Sequence, residues 1–360
     1  MKIGIVGLPN VGKSTLFNAL TGAGALVANY PFATIHPNLG LVPVPDQRLN
    51  DLAEMMGTAK IVPATVEFVD IAGLVRGASM GEGLGNQFLS HIREVDAILH
   101  VVRCFEDESI AHANPTIDPA NDFRTVELEL ILADLAHLEK RQAKVAKAAK
   151  SHAPLLLSEL DLISRLLAHL DDEKSARVFD ADENEKGLLD QFSLLTRKPL
   201  MIVANVKDLQ DCSAKLALLD NFLGDQEIPI LQVAADVEAD LAELPGEDQI
   251  LFREELGLPE SSLDRIIHQA YRTLDLISFF TSNEKEVRAW TVKEGSLAPK
   301  AAGTVHSDFE RGFIRAEVVP FHELKEAGSL AAAREKGWVR SEGKSYRVRD
   351  GDYITFRFNL

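Results

Sequence analysis

Cysteine is nearly absent: Cys104 and Cys212 are the only two in 360 residues. They lie far apart, with neither metal-knuckle nor redox spacing, which excludes a disulfide framework and a zinc ribbon. Each is expected to be a small core hydrophobe. Long apolar runs are missing as well, and none approaches the roughly 20 residues that a membrane span needs. The first strand opens within two residues of Met1, which predicts no signal peptide. Together these absences predict a cytoplasmic protein with no membrane partner. Positive charge is scarce, with 38 Lys and Arg against 55 Asp and Glu and a net charge of −17. That balance argues against a chain that binds nucleic acid over its whole surface.

The deficit is uneven. Residues 276–360 carry 14 basic and 12 acidic groups, a net +2, so the first 275 residues hold a net −19. A slightly basic end on a very acidic body suits an anionic partner for that end. At 46% hydrophobic and 26% charged, the chain has ample material for two or three cores.

The most specific stretch follows the apolar run Ile3 to Val6. Gly7-Leu8-Pro9-Asn10-Val11-Gly12-Lys13-Ser14 satisfies G-x-x-x-x-G-K-[ST], the phosphate-binding loop. Its glycines let successive backbone N–H groups point into one concavity, and the next helix adds its positive dipole end. A glycine-rich turn matching by chance would not also supply β-branched residues before the loop and Leu16, Phe17 and Leu20 at helical spacing after it. Lys13 is expected to neutralise the outer phosphates, and Ser14 to ligate Mg²⁺. Asn10, Val11, Gly12 and Thr15 complete the phosphate-binding set.

Further along, strands are predicted at 38–44, 64–69, 96–105, 200–204 and 229–233. They alternate with helices, which implies an α/β layer sheet split between about 1–125 and 198–275. The interruption, 126–197, has its own period. Leu128, Ile131, Leu135, Leu138, Gln142, Val145 and Ala149 step by three and four, as do Leu156, Leu160, Ile163, Leu167 and Leu170. Ser151-His152-Ala153-Pro154 breaks them, so two antiparallel helices meeting along a narrow seam are expected. Lys140, Lys144 and Lys147 share one face. The last segment, 276–360, reads as a small α+β domain, with strands at 287–292, 312–319, 346–348 and 353–358 around a helical 324–336.

Phosphoryl hydrolysis needs phosphates held, charge neutralised and a water positioned. Asp70, ending its strand, is placed to hold Mg²⁺, the Gly73 N–H to meet the γ-phosphate, and Thr34 to offer a second hydroxyl to the metal. The base should be read after the next strand. GTPases carry Asn-Lys-x-Asp there, and this chain has Asn205-Val206-Lys207-Asp208. Asn205 and Asp208 are in step, but Val206 replaces the lysine that flanks guanine. Asn205 could present a donor and an acceptor to adenine, so ATP is expected to bind more tightly than GTP. Ala234 and Ala235, after the strand 229–233, close the expected nucleotide pocket.

The phosphate loop, Pro31-Phe32-Ala33-Thr34-Ile35, Asp70-Ile71-Ala72-Gly73-Leu74-Val75 and the closing Asp350-Gly-Asp-Tyr-Ile-Thr-Phe-Arg-Phe-Asn359 resemble the YchF / Obg-like ATPase family. The likeness spans the whole chain, including Arg288-Ala-Trp-Thr-Val292 and His306 to Ala316. It implies a Ras-like P-loop core, an inserted helical hairpin and a C-terminal TGS domain. It also implies a ribosome-associated switch that prefers ATP and hydrolyses it slowly with Mg²⁺. The ribosome or its RNA would meet the TGS domain and the hairpin. Asp208 departs from the family's usual Asn-x-x-Glu towards the guanine form. Leu74 stands where other members of the wider class place a water-orienting glutamine, and by resemblance His112 takes over that role. Asn10 also occupies the position where some glutamine-lacking relatives ligate potassium. The alternatives are a GTP-specific switch and a ribosome-binding or RNA-binding regulator whose hydrolysis is incidental. A metabolic kinase is a weaker third, because no acceptor pocket is legible.

Overall fold

The computed structural model describes residues 1–25, 39–71, 84–107, 109–110, 116–148, 154–208, 213–255 and 261–359. In chain order the first strands are β1 (Lys2–Val6), β2 (Leu39–Pro43), β3 (Lys60–Val62), β4 (Thr65–Asp70), β5 (Ala97–Arg103), β6 (Leu200–Asn205) and β7 (Ile230–Val233). The remainder are β8 (Leu276–Ser282), β9 (Glu286–Lys293), β10 (Phe313–Pro320), β11 (Arg340–Glu342) and β12 (Asp352–Phe358). The helices that matter most are α1 (Lys13–Ala25), α2 (Gln47–Met56), α3 (Leu84–Glu94), α4 (Pro119–Ala148) and α5 (Pro154–Asp171).

Two compact units result. Among the described residues, 1–25, 39–40 and 67–263 form the first, and 41–66 with 264–359 form the second. The first carries β1, β5, β6, β7 and most of β4, in the sheet order β4-β1-β5-β6-β7. The pairs β1/β4, β1/β5, β5/β6 and β6/β7 are parallel. Every residue of β5 and β6 is buried, as expected of central strands covered on both faces. Because β1 has β4 on one side and β5 on the other, the loop leaving β1 opens at a topological switch point. This is the mixed α/β P-loop core that the sequence predicts.

The helical insertion is also present, with a broader seam than expected. Ile131, Leu138 and Val145 of α4 are buried together with Leu162, Ile163, Leu166 and Leu170 of α5. Ala176, Leu189, Phe192 and Leu194, from the returning chain, join the same cluster. That third layer rotates the buried stripe of α5, so Leu160 and Leu167 are only partly covered. Gln142 lies on the rim, donating to Ser164 Oγ at 3.2 Å. The turn at 149–153 lies outside the described residues. Asp134 of α4 is wholly buried. It accepts Leu195 N at 2.8 Å, Thr196 N at 2.9 Å and Thr196 Oγ1 at 2.8 Å, and so anchors the returning chain to the helix.

The second unit has a sheet of order β11-β10-β12-β8-β9-β3. Its core is Ile277, Phe279, Val292, Phe313, Val318 and Ile354 with the alanines of the helix Ala298–Val305. Residues 346–348, expected to be a strand, form only an isolated bridge from Arg347 to Leu297. The predicted helix 324–336 is two shorter ones, Phe321–Ala327 and Leu330–Glu335, parted at Gly328 with φ of 77°. A glycine in that left-handed region ends a helix. The unit also takes in a stretch from early in the chain. Here β3 pairs parallel with β9, Lys60 meets Glu286 at 2.6 Å, and Arg48 of α2 meets Asp350 at 2.6 Å. No helix among the described residues is long and apolar enough to cross a membrane.

Candidate functional site

The phosphate loop is built by three residues in left-handed backbone: Gly7 at φ 152°, Asn10 at 63° and Gly12 at 96°. Two of these positions admit no side chain. A Cβ on Gly7 would lie 2.4 Å from Val101 O, and one on Gly12 2.2 Å from Asn205 Nδ2. The loop is therefore pressed against β5 and β6 at once. Val11 is wholly buried, which fixes the turn from inside. Thr15 is half-buried in the first turn of α1.

Lys13 is 8% exposed and donates to Leu8 O at 2.7 Å, folding its ammonium back over the loop. Burial lowers its pKa to about 8, with Asp70 opposing the shift. Ser14 Oγ donates to Asp70 Oδ2 at 3.0 Å. Residues 56 apart in the chain are thus joined at one point. Two hard oxygen donors beside a phosphate cradle match the chemistry of Mg²⁺, which binds through one or two protein oxygens and keeps water and phosphate as its other ligands.

Asn205 is 3% exposed. Its Nδ2 donates to Val11 O at 2.9 Å, and its Oδ1 accepts from Ala235 N at 3.1 Å. The side chain ties the phosphate loop to the turn after β7. Each amide atom spends one of its two hydrogen-bonding positions there, so one N–H and one lone pair remain. Val206, Ala234 and Ala235 are buried beside it, with Val206 N bonded to Val233 O at 2.9 Å. Asp208 is exposed. Thr34, Gly73, Leu74 and His112 lie outside the described residues.

Two buried polar residues were missed by the motifs. Arg103, at the end of β5, is 1% exposed. Its Nε donates to Phe105 O at 3.0 Å, Nη1 to Ile110 O at 3.1 Å and Nη2 to Asp107 O at 3.1 Å. The guanidinium also lies over the Phe105 ring. It clasps Phe105, Asp107 and Ile110 past the strand's end, where Cys104 N bonds to Asn205 O. An isolated charge closing an apolar strand was the available clue, since a buried arginine must be paired.

His100, mid-strand in β5, is the second. Its ring stacks on Phe123 with centroids 5.1 Å apart. Among the described residues its Nε2 is the one buried side-chain polar atom without a partner. Burial first, then the charges of Lys13 and Arg177, lower its pKa from 6.5 to about 3. The unfolded chain therefore binds a proton between those values that the folded protein refuses. Stability from this group is complete above pH 6.5 and is lost as pH falls towards 3. His100→Phe cannot protonate, so it should lose less stability than the wild type over that interval. Urea midpoints measured at intervals between pH 7 and 4 check this; parallel wild-type and variant curves would refute it.

Comparisons with known proteins agree with this architecture. Residues 2–132 match a family model described as "50S ribosome-binding GTPase". Residues 276–359 match the YchF-GTPase_C model, described as a protein of unknown function. The chain is 51% identical to the "Ribosome-binding ATPase YchF" of Bacillus subtilis, over 99% of both chains. It is 48% identical to the Escherichia coli O157:H7 protein of the same name, over all of this chain and 99% of that one. Among solved structures, the Schizosaccharomyces pombe YchF GTPase superposes with a TM-score of 0.89 at 35% identity. That match covers 99% of this chain and 97% of the other.

Proposed function

This chain belongs to the YchF family, and on that premise we propose that it is a cytoplasmic, ribosome-associated nucleoside triphosphatase that prefers ATP. One observation carries the catalytic half: Lys13, Ser14 and Asp70 converge on a loop whose backbone only glycine could follow at Gly7 and Gly12. Bound between Ser14 and Asp70, with Thr34 as a further ligand, Mg²⁺ would supply charge neutralisation on the β- and γ-phosphates. Lys13 neutralises the outer phosphates, and the N–H groups from Asn10 to Thr15 orient them. The Gly73 N–H senses the γ-phosphate, and His112 orients the water that Leu74 cannot. Potassium at Asn10 is a secondary part of the reading.

The preference for ATP rests on Val206 standing where guanine-specific sites carry lysine, and on the relatives' printed name. Asp208, in step with the aspartate of guanine-specific sites, works against it. Base discrimination then falls to Asn205, whose amide keeps one N–H and one lone pair beyond its two bonds, to Asp208 and to the backbone of Val206, Ala234 and Ala235. In functional terms, 1–125 with 198–275 binds nucleotide, while 126–197 and the TGS domain, 276–360, face the ribosome. Lys140, Lys144 and Lys147 of α4 are all exposed, as that role needs.

One set of measurements tests the reading. Fluorescent ATP and GTP are titrated into wild type and His112→Ala, and turnover is followed with and without ribosomes. ATP should bind more tightly, ribosomes should raise wild-type turnover, and the variant should bind ATP yet fail to turn it over. Equal or tighter GTP binding overturns the preference. Full turnover in the variant overturns the role of His112.

A further inference from the structure

The C-terminal strands carry an arrangement that sheet stability does not favour. Arg315 of β10 lies directly opposite Arg357 of β12, and like charges in that position repel. Both reach one carboxylate. Glu317 Oε1 accepts from Arg357 Nε, and Oε2 from Arg357 Nη2 and Arg334 Nη2, each at 3.1 Å, while Arg315 Nη2 forms an ion pair with Oε1 at 3.1 Å. Arg315 Nη1 also donates to Ser341 Oγ at 3.1 Å. With Arg340, these side chains line a cavity of about 300 Å³.

A single carboxylate cannot satisfy three guanidinium forks, each of which has five N–H donors. Arg315, Arg334 and Arg357 are 45–49% exposed, whereas Glu317 is only 13% exposed. The glutamate is the covered member of the cluster, and the unspent donors belong to half-exposed arginines. Excess positive charge held in preset arginine forks is the recognition chemistry of phosphate. We propose that this four-arginine cavity, built by β10, β11, β12 and the helix Leu330–Glu335, binds the phosphodiester backbone of RNA. Val339 is the single apolar residue of the lining, so the cavity lacks the apolar pockets that would grip the side chains of an acidic peptide. The proposal deepens the ribosome reading and rests on it for its biological setting. It also separates two groups of basic residues in this domain, because Arg347 and Arg349 line a different cavity beside Gly295 and Tyr346.

The test uses the full chain and a short fluorescent oligouridylate, with anisotropy followed across a KCl series. The variants are Arg315→Gln with Arg357→Gln, Arg334→Gln alone, and Arg347→Gln with Arg349→Gln. Losing two phosphate contacts should weaken binding about tenfold at low salt and flatten the log–log salt slope by about 1.4, at roughly 0.7 per contact on a single strand. Arg334→Gln should give about half that change in slope, and Arg347→Gln with Arg349→Gln should match wild type. Arg334 projects from a helix rather than the sheet, so its variant remains informative if the double substitution unfolds the domain. Unchanged slopes in folded variants overturn the proposal, as does an equal effect from the Arg347/Arg349 pair. Competition by polyglutamate as effective as unlabelled RNA would replace RNA with an acidic protein segment. If wild type binds the oligonucleotide through these arginines yet fails to pellet with ribosomes, the site stands and the ribosome reading falls.

Discussion

Gly12→Ala is expected to remove nucleotide binding while leaving the protein folded. The added methyl would sit 2.2 Å from Asn205 Nδ2, and the backbone there has φ of 96°. Left-handed strain costs about 1–3 kcal/mol. Displacing Asn205 forfeits its bonds to Val11 O and Ala235 N, each worth about 1–3 kcal/mol when the partner is left buried. Relieving the strain by moving the loop turns its N–H groups away from the phosphates. A loss of affinity of about two to four orders of magnitude follows, at 1.4 kcal/mol per factor of ten. Gly57→Ala is the matched control. That residue has φ of 65°, and a methyl added there would meet nothing within 4 Å, so strain acts without collision. Fluorescent-nucleotide titration of both variants decides the matter. Near-normal binding by Gly12→Ala would mean that the loop and Asn205 are not locked together.

Asp134→Ala should give the largest loss of stability, about 4 kcal/mol, by stranding the buried N–H groups of Leu195 and Thr196. The damage should spread along the bond chain, because Thr196 Oγ1 also accepts from Ala176 N at 3.0 Å. Asp134→Asn keeps one acceptor but turns an NH₂ group towards a donor, so it should rescue less than half. Urea unfolding followed by circular dichroism checks both variants. A loss under about 1 kcal/mol for alanine, the net worth of one ordinary hydrogen bond, would show that water replaces the carboxylate.

The phosphate loop was legible in full because its chemistry is local: glycine, lysine and serine act within eight consecutive residues. Ser14 with Asp70 was legible at one remove, since a strand end and a helix start both point to the same edge of a parallel sheet. Asn205 was legible as a position, but its packing was not. Its spacing identifies the loop it serves, but only packing shows that its amide also bonds Val11 O and Ala235 N. The hairpin followed from its period. The rotated seam did not, because Phe192 and Leu189 approach from outside that period. Arg103 and His100 belong to no motif, and their importance comes from burial, which a single sequence does not display. The helix break at Gly328 was readable in principle, as glycine is the usual residue at a left-handed cap.

The pairing of β3 with β9 bears on how the chain is made. Lys60 and Glu286 are 226 residues apart, so at roughly 5–20 residues per second of synthesis β3 waits about 11–45 s for its neighbour to be translated. During that interval α2, whose Leu49, Leu52 and Ala53 are destined for burial, has no completed sheet to cover it. The last unit to emerge is therefore also the one that shelters a segment made near the start. Any chain stopped before β8 would leave that early segment orphaned, a target for chaperones and proteases. Expression of truncated chains should accordingly yield aggregation rather than a clean nucleotide-binding fragment, unless residues 41–66 are replaced as well.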